Sequence, residues 1–221
     1  MSQMRTDTSR EISAKLLNWW KQYGRKYSWR LTEDPYKIMI AELMLHRTKA
    51  SQVDNIFSNF VEKYPKFENL TTADPSEIVN ILRPLGLNWR NEYFVDLIKE
   101  IKLVYGGQMP IKKKELMSLP GVGDYVASAV RCFAYGYAEV VLDINTSRII
   151  SRLNGFRQTG EMRRKKRVRN AYLKILDRKN PREFNYALLD LGAIICTSHD
   201  KKCYICPLSE WCVTAKNEVI K

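Results

Sequence analysis

Four of the five cysteines lie within seventeen residues near the C-terminus, in "CTSHDKKCYICPLSEWC". Their spacing is C-x6-C-x2-C-x5-C, from Cys196 through Cys203 and Cys206 to Cys212. Short spacers let a chain wrap its side chains around one centre, so this cysteine box strongly constrains the fold around it. Four thiolates suit a structural zinc ion or an iron-sulfur cluster equally well, and ligand chemistry alone leaves both open.

The composition indicates a globular protein with an anionic partner. The chain has 221 residues, of which 45% are hydrophobic, and its 37 lysines and arginines against 24 acids leave a net charge of +13. Such an excess attracts polyanions, which makes nucleic acid the first partner to consider and an anionic membrane surface the rival. No apolar run is long enough to span a bilayer, and the N-terminal segment lacks the apolar centre of a signal peptide. We expect a soluble protein of the cytoplasm, associated with the nucleoid, or of another DNA-containing intracellular compartment, where disulfides are disfavoured.

Hydrophobic periodicity predicts an all-α fold, because apolar residues recur at spacings of three and four and sustained alternation is scarce. The segments "TSRE" (8–11) and "DPSE" (74–77) place a capping residue three positions before an acid, which predicts helix starts. No repeat or low-complexity linker divides the chain, so a second domain would share a compact interface with the first.

A glycine turn interrupts two predicted helices in "KKKELMSLPGVGDYVASAV" (112–130). Gly121 and Gly123 are expected to allow backbone conformations that side chains forbid, and a new helix is expected to start by Asp124. Backbone N–H groups at such a turn bind phosphate without reading base sequence. A Gly-x-Gly turn alone is weak evidence, but after three lysines in a chain of charge +13 it indicates a DNA-binding hairpin.

Two acids are candidates for chemistry. Asp143, in "VVLDINTSRII", follows an apolar run and predicts either a helix N-cap or a carboxylate directed into a cleft. Glu42 has apolar residues at helical spacings, which predicts a half-buried acid or a glutamate at the edge of the apolar stripe, paired with His46. The two histidines are far apart in sequence, which disfavours a zinc hydrolase.

Two further features receive structural interpretations. "RRKKRVR" (163–169) has six cations in seven residues, and we interpret most of them as a solvated face with one or two contacts to phosphate. Cys132, outside the box, is interpreted as a small buried hydrophobe.

The hairpin "LPGVGDYVASA", the aspartate in "LDINTSR" and the cysteine box together resemble the endonuclease III superfamily of helix-hairpin-helix DNA glycosylases. The resemblance covers nearly the whole chain, from "WWKQYGRKYSWR" to Cys212, and it implies a [4Fe-4S] cluster on the four box cysteines. It also implies two helical lobes with DNA in the cleft between them. One lobe is residues 27–137, with the helix-hairpin-helix at 112–135, and the other is residues 1–26 plus 138–221, with the cluster.

Within that superfamily, "PYKIMIAELMLHRTKA" and "FNYALLDLGAIIC" are similar to segments of the adenine-glycosylase-like branch. Tyr125 stands where endonuclease III has its lysine nucleophile, which implies a monofunctional enzyme with little or no strand-cleaving activity. The chain ends nine residues after Cys212, where adenine glycosylases usually continue into a domain that inspects oxidised guanine. In "LHRT", Arg47 replaces one of two usual glutamines and stands at the position that probes the opposite base. With these departures, the chain resembles the thymine-DNA mismatch glycosylases, which remove thymine or uracil opposite guanine.

The resemblance also implies roles for individual residues. Asp143 would stabilise positive charge on the sugar, Tyr125 would contact the flipped nucleotide, and Glu42 would contact the pyrimidine edge or donate a proton. For Tyr125 the structural alternative is an aromatic ring packed beneath the hairpin. Contacts to DNA would come from the hairpin and from two gap-filling residues, namely Leu119, Gly121, Val122, Gly123, Arg47 and Leu87.

We therefore expect a monomer that acts on double-stranded DNA containing a mismatched base. The alternatives within the enzyme class are an adenine mismatch glycosylase and an oxidised-pyrimidine glycosylase like endonuclease III. Outside that class, a non-catalytic DNA-binding protein and a zinc-binding adaptor stay open.

Overall fold

The computed structural model describes residues 6–86, 88–157 and 161–219. Over these ranges the chain is helical and contains no β-strand, with one isolated bridge between Cys196 and Lys201. The predicted all-α fold is therefore confirmed. None of the described helices combines the length and the apolar composition that crossing a bilayer requires.

The helices follow one another with short connections. In chain order they are α1 (Thr6–Tyr23), α2 (Pro35–Met44), α3 (Ala50–Lys63), α4 (Phe67–Thr71), α5 (Pro75–Leu82), α6 (Asn88–Tyr105), α7 (Lys113–Ser118), α8 (Asp124–Tyr135), α9 (Ile144–Leu153), α10 (Lys166–Ile175), α11 (Pro181–Ile194) and α12 (Val213–Val219). Short 3-10 helices lie at Ser28–Leu31, Arg83–Leu85, Met162–Arg164, Cys203–Ile205 and Ser209–Trp211.

Local capping explains several helix starts. Asp74 accepts a hydrogen bond from the Ser76 N–H at 2.8 Å and Pro75 occupies the first helical position, so the start predicted from "DPSE" is confirmed. The start predicted at Thr8 is wrong, because α1 already begins at Thr6. Asp7 then lies in the first turn, where a carboxylate stabilises the positive end of the helix dipole.

The chain divides into two compact units. One is Lys26–Tyr135, and the other combines the residues up to Arg25 with those from Gly136 onward. In Lys26–Tyr135, α2 packs along α8, and both helices are largely buried. Cys132 on α8 is fully buried, which confirms its interpretation as a hydrophobe.

The other unit, which we call the box unit, is built around α1, α9, α10 and α11. Its core includes Leu16, Ile150, Tyr172, Phe184 and Leu191, and the partly buried Cys206 and Cys212 pack against that core. The cysteine box is thus attached to a continuous hydrophobic core and not to an isolated loop.

A buried carboxylate on α11 connects that helix to the N-terminal segment of the box unit. Asp190 on α11 is completely buried, and it accepts hydrogen bonds from Trp20 Nε1 at 2.9 Å and from the Arg25 N–H at 2.8 Å. The Arg25 side chain completes the site, with Nε 2.6 Å from Asp190 Oδ1. These charge-assisted bonds compensate the loss of hydration that burial imposes on the carboxylate.

Candidate functional site

Asp143 is the N-cap of α9. Its Oδ1 accepts hydrogen bonds from the Thr146 N–H at 2.7 Å and from Thr146 Oγ1 at 3.0 Å, while Oδ2 accepts from Asn145 Nδ2 at 2.8 Å. The N-cap interpretation is confirmed. Because both oxygens accept hydrogen bonds, the carboxylate is held in one orientation. The residue is partly exposed.

A chain of hydrogen bonds connects Asp143 to the first box cysteine. Asn145 Oδ1 accepts from Arg148 Nη2 at 3.0 Å. The same guanidinium donates to the carbonyl oxygens of Gly192 at 2.9 Å and of Cys196 at 2.9 Å. Asp143 and the cysteine box therefore belong to one polar network within the box unit.

Gly192 allows this network to form. A Cβ at this position would lie 2.9 Å from Asn145 Cβ and 3.3 Å from Ile149 Cδ1, so only glycine lets α11 approach α9 this closely. Asn145, Arg148 and Gly192 were not predicted as site residues from the sequence. The available signal was their presence in "LDINTSR" and "LDLGAIIC", two of the segments that carry the resemblance.

The glycine turn lies between α7 and α8 in the other unit. Gly121 has φ of +76°, a left-handed conformation that favours glycine, and a Cβ there would lie 3.2 Å from Tyr93 Cβ. Gly123 does not have a positive φ and has no atom within 4 Å of an added Cβ. The expectation that both glycines supply special backbone conformations is correct for Gly121 and wrong for Gly123.

This difference predicts opposite effects within one turn. Gly121→Ala is expected to lower the free energy of unfolding by about 1–2 kcal/mol, because alanine is strained at positive φ. Gly123→Ala is the matched control, and it is expected to leave stability unchanged or raise it by less than about 1 kcal/mol. Urea unfolding followed by circular dichroism measures both, and equal losses would contradict the turn geometry.

Other hairpin residues have structural roles of their own. Leu119 and Val122 are buried, with 3% and 6% of their surface exposed, and their N–H groups donate to the carbonyl oxygens of Leu116 at 3.2 Å and Leu119 at 3.1 Å. Of the three lysines before the turn, Lys113 contacts Asp124 Oδ1 at 2.8 Å and donates to Ser128 Oγ at 2.6 Å. Lys112 pairs with Glu115 at 3.0 Å, so intramolecular contacts occupy two of the three cations.

Tyr125 and Glu42 lie on the two central helices of this unit. Tyr125 is the second residue of α8 and is partly exposed, whereas Glu42 on α2 is only 2% exposed. Both interpretations, a half-buried acid and a glutamate at the edge of the apolar stripe, are therefore wrong in the exposure that they assign to Glu42. Its helix is buried around nearly its whole circumference, which the apolar sequence of "IMIAELM" explains.

Arg47 follows the end of α2 and has an unusual backbone. Its φ of +55° is a left-handed conformation, and among the described non-glycine residues only Arg47 has a positive φ. Its side chain is exposed. Such conformations are uncommon outside glycine and cluster at functional positions. Leu87, the other expected gap-filling residue, lies outside the described residues.

The four box cysteines line one cavity of the box unit, together with Arg152. Arg152 Nη1 lies 3.3 Å from Cys196 Sγ and donates to the Thr197 carbonyl oxygen at 2.7 Å. Burial raises the pKa of Cys206 to about 12 and raises the pKa of Cys212 as well. Thiolates at these positions therefore need a compensating positive charge.

Over the described ranges, no three His, Cys, Asp or Glu side chains are arranged to hold a metal ion.

Similarity to known proteins shows which family the chain belongs to. Residues 40–177 match the family model described as "HhH-GPD superfamily base excision DNA repair protein". The chain belongs to the HhH-GPD superfamily. It is therefore a DNA glycosylase of base excision repair, and the predicted family and enzyme class are confirmed.

Two relatives match over most of their length. The chain is 36% identical over 212 residues to the thymine-DNA glycosylase of Aeropyrum pernix, covering 94% of this chain and 95% of that protein. It is 35% identical over 198 residues to the thymine/uracil-DNA glycosylase of Methanothermobacter thermautotrophicus, covering 89% and 90%. A solved structure of a thermostable thymine-DNA glycosylase superposes with a TM-score of 0.86 at 33% identity, covering 96% of this chain and 99% of the other.

Proposed function

We propose that this HhH-GPD protein hydrolyses the N-glycosidic bond of thymine or uracil mispaired with guanine in double-stranded DNA. The product is an abasic site in an intact strand. The observation that carries the proposal is the similarity, over nearly the whole chain, to relatives named thymine-DNA and thymine/uracil-DNA glycosylases. We propose that the protein acts as a monomer in a DNA-containing compartment.

Asp143 is assigned to the chemical step. Cleavage of the bond between the sugar C1′ and the base develops positive charge on the sugar, which a nearby carboxylate stabilises. Asp143 orients the attacking water and takes its proton as the new bond to C1′ forms, and the base leaves with the electron pair of the broken bond and takes up a proton from solvent. The hydrogen bonds from Thr146 and Asn145 support this role, because a preoriented charge needs no reorganisation in the transition state.

Tyr125 is assigned to contact with the flipped nucleotide. A phenol has no amine, so no Schiff base with the sugar forms at this position and the strand is left intact. Its partial exposure at the start of α8 is compatible with contact to a ligand. Glu42 is proposed to contact the pyrimidine edge or donate a proton on the resemblance alone, since only 2% of its surface is exposed in this structure.

Arg47 is proposed to probe the guanine opposite the target. A guanidinium presents paired donors to the acceptor edge of guanine or stacks in the space left by the flipped base. Its exposure and left-handed backbone support a functional constraint at this position. Leu87 is proposed as the second gap-filling residue.

The four box cysteines are proposed to hold a [4Fe-4S] cluster. The donor set fits, because four cysteine thiolates are the usual ligands of such a cluster and the four side chains line one cavity. When bound, the cluster braces the fold of the box unit, and the hydrolytic step uses Asp143 and water.

The hairpin between α7 and α8 is proposed to bind backbone phosphate. Because Leu119 and Val122 are buried and their N–H groups donate within the hairpin, this contact is assigned to the main-chain N–H groups of Gly121 and Gly123. Duplex DNA is proposed to lie in a cleft between two lobes, as the resemblance implies. The net charge of +13 supports a polyanionic partner.

A panel of duplexes tests the proposed function. The targets are T·G, U·G, A·G, adenine opposite oxidised guanine and an oxidised thymine, with T·A as the matched control. We expect breaks at T·G and U·G only after alkali, and rates at least about 100-fold lower on the other duplexes.

Each other outcome of the panel has a definite meaning. Nicking without alkali would contradict the role drawn from Tyr125. Release of adenine in place of thymine would change the assigned substrate to adenine. Binding without release of any base would indicate a non-catalytic DNA-binding protein.

A further inference from the structure

The basic segment Arg163–Arg169 lies on the outer face of the box unit. Met162 and Val168 are buried, with 6% and 0% of their surface exposed, and both belong to the core of that unit. They attach the 3-10 helix Met162–Arg164 and the start of α10 to the core, so the cations between them face outward from a fixed backbone.

Intramolecular contacts account for some of these cations. Arg164 pairs with Glu161 at 3.0 Å. Arg167 lies over the ring of Phe156, 5.1 Å from its centroid, and donates to the Arg157 carbonyl oxygen at 3.3 Å. These two residues serve the local fold.

Three cations have no such partner. Arg163, Lys165 and Lys166 are exposed, and among the described side chains none of them has a carboxylate within 4 Å. We call these three residues the α10 basic cluster. Their charges repel one another, and no described carboxylate pairs with any of the three.

The position of the cluster adds to its unfavourable energy. The first turn of α10 contains no acid, and the N-cap Lys165 makes no side-chain capping bond. Cations near the positive end of a helix are unfavourable, because the dipole repels them. The other long helices of this unit, in contrast, have an acid at their start, namely Asp7, Asp143 and Glu183. A polyanion bound by the side chains would offset both effects.

The spacing of the cluster suits one strand of nucleic acid. Arg163 and Lys166 are three residues apart, a reach of at most about 11 Å along the chain. Phosphates of one DNA strand follow at about 3.4 Å of rise. The segment begins in the 3-10 helix Met162–Arg164 and ends in the first turn of α10, so it is shorter than this limit, and its three long side chains suit neighbouring phosphates of one strand.

We propose that the α10 basic cluster is a second DNA-binding surface, separate from the glycine turn, that contacts phosphates of one duplex strand. This inference rests on the proposed function in one respect: DNA is taken as the polyanion because the chain belongs to a family of DNA repair proteins. Phosphate contacts add affinity without base specificity, so the surface holds undamaged duplex as well as mismatched duplex.

The test compares two triple variants of equal charge. One is Arg163→Gln, Lys165→Gln and Lys166→Gln in the full chain. The matched control is Arg10→Gln, Lys15→Gln and Lys21→Gln, three exposed cations on α1 of the same unit. Binding to a fluorescent, undamaged duplex is measured by anisotropy between 50 and 200 mM NaCl.

The cluster variant is expected to lose on the order of 10- to 100-fold in affinity, and the slope of log K against log salt is expected to fall by about 2.7. The control is expected to change affinity by less than about 3-fold, because screening weakens charges that do not touch phosphate. Each single substitution in the cluster is expected to lower the slope by about 0.9, which keeps the test available if the triple variant unfolds.

Equal losses in the two triple variants would overturn the proposal, because net charge alone would then explain binding. Unchanged duplex affinity in the cluster variant would also overturn it. Single-stranded RNA of the same length is measured alongside, and a loss of affinity confined to that RNA would overturn the proposal as well. Binding to undamaged duplex involves no base release, so an inactive duplex panel would sink the proposed function and leave this surface standing.

Discussion

Asp143→Asn is expected to lower thymine release from a T·G duplex by about 10³-fold or more. The amide is neutral and cannot stabilise the positive charge on the sugar, yet it keeps an oxygen that can accept from the Thr146 N–H. Asparagine is also a good N-cap, so α9 should start at the same residue. Single-turnover rates on the T·G duplex measure the loss, and affinity for the same duplex should stay within about 3-fold.

Asp74→Asn separates chemistry from capping. Asp74 is the N-cap of α5 and accepts from the Ser76 N–H, so the substitution removes an N-cap charge in the same way. We expect this control to keep the activity and melting temperature of the unmodified protein. Asp143→Asn with full activity would refute the assigned role, and equal losses in both variants would trace the effect to capping.

Cys206→Ser is expected to have the largest effect on stability. A missing ligand leaves a cluster incompletely held, and Cys206 packs against the core of the box unit. We expect iron content to fall below half of the unmodified level and the free energy of unfolding to fall by about 4 kcal/mol or more. Anaerobic purification, iron analysis and urea unfolding give the two measurements.

Cys132→Ala is the matched control for the cysteine box. Cys132 is fully buried in the other unit, so its loss tests cysteine removal without a ligand role. Iron content should be unchanged and stability should fall by only about 1–2 kcal/mol. A colourless protein with stoichiometric zinc would replace the cluster assignment, and Cys206→Ser with full iron would remove Cys206 from the ligand set.

Short-range patterns explain why much was predictable. The start of α5 follows from Asp74 and Pro75, and the N-cap position of Asp143 follows from a polar residue after an apolar run. Both depend on hydrogen bonds and dihedral angles within a few residues, which the local sequence specifies. The all-α class likewise follows from hydrophobic periodicity.

Contacts between distant segments were not predictable in the same way. Lys113 was grouped with lysines available to phosphate, but it is occupied by Asp124 and Ser128. Leu119 and Val122 were expected at the DNA surface, but packing buries their side chains. Periodicity says that a residue is apolar and does not say which neighbour covers it.

The sequence by itself determined the helical class, the cysteine spacing, the hairpin and the family resemblance, because each depends on residues close together in the chain. Only the tertiary structure decided that Asn145 and Arg148 connect Asp143 to Cys196, since α9 and α11 are distant in sequence and meet only because Gly192 has no Cβ. It also decided which cations are free of acids, because an ion pair depends on folded distances. Charge counts alone could not separate Lys113 from Lys166.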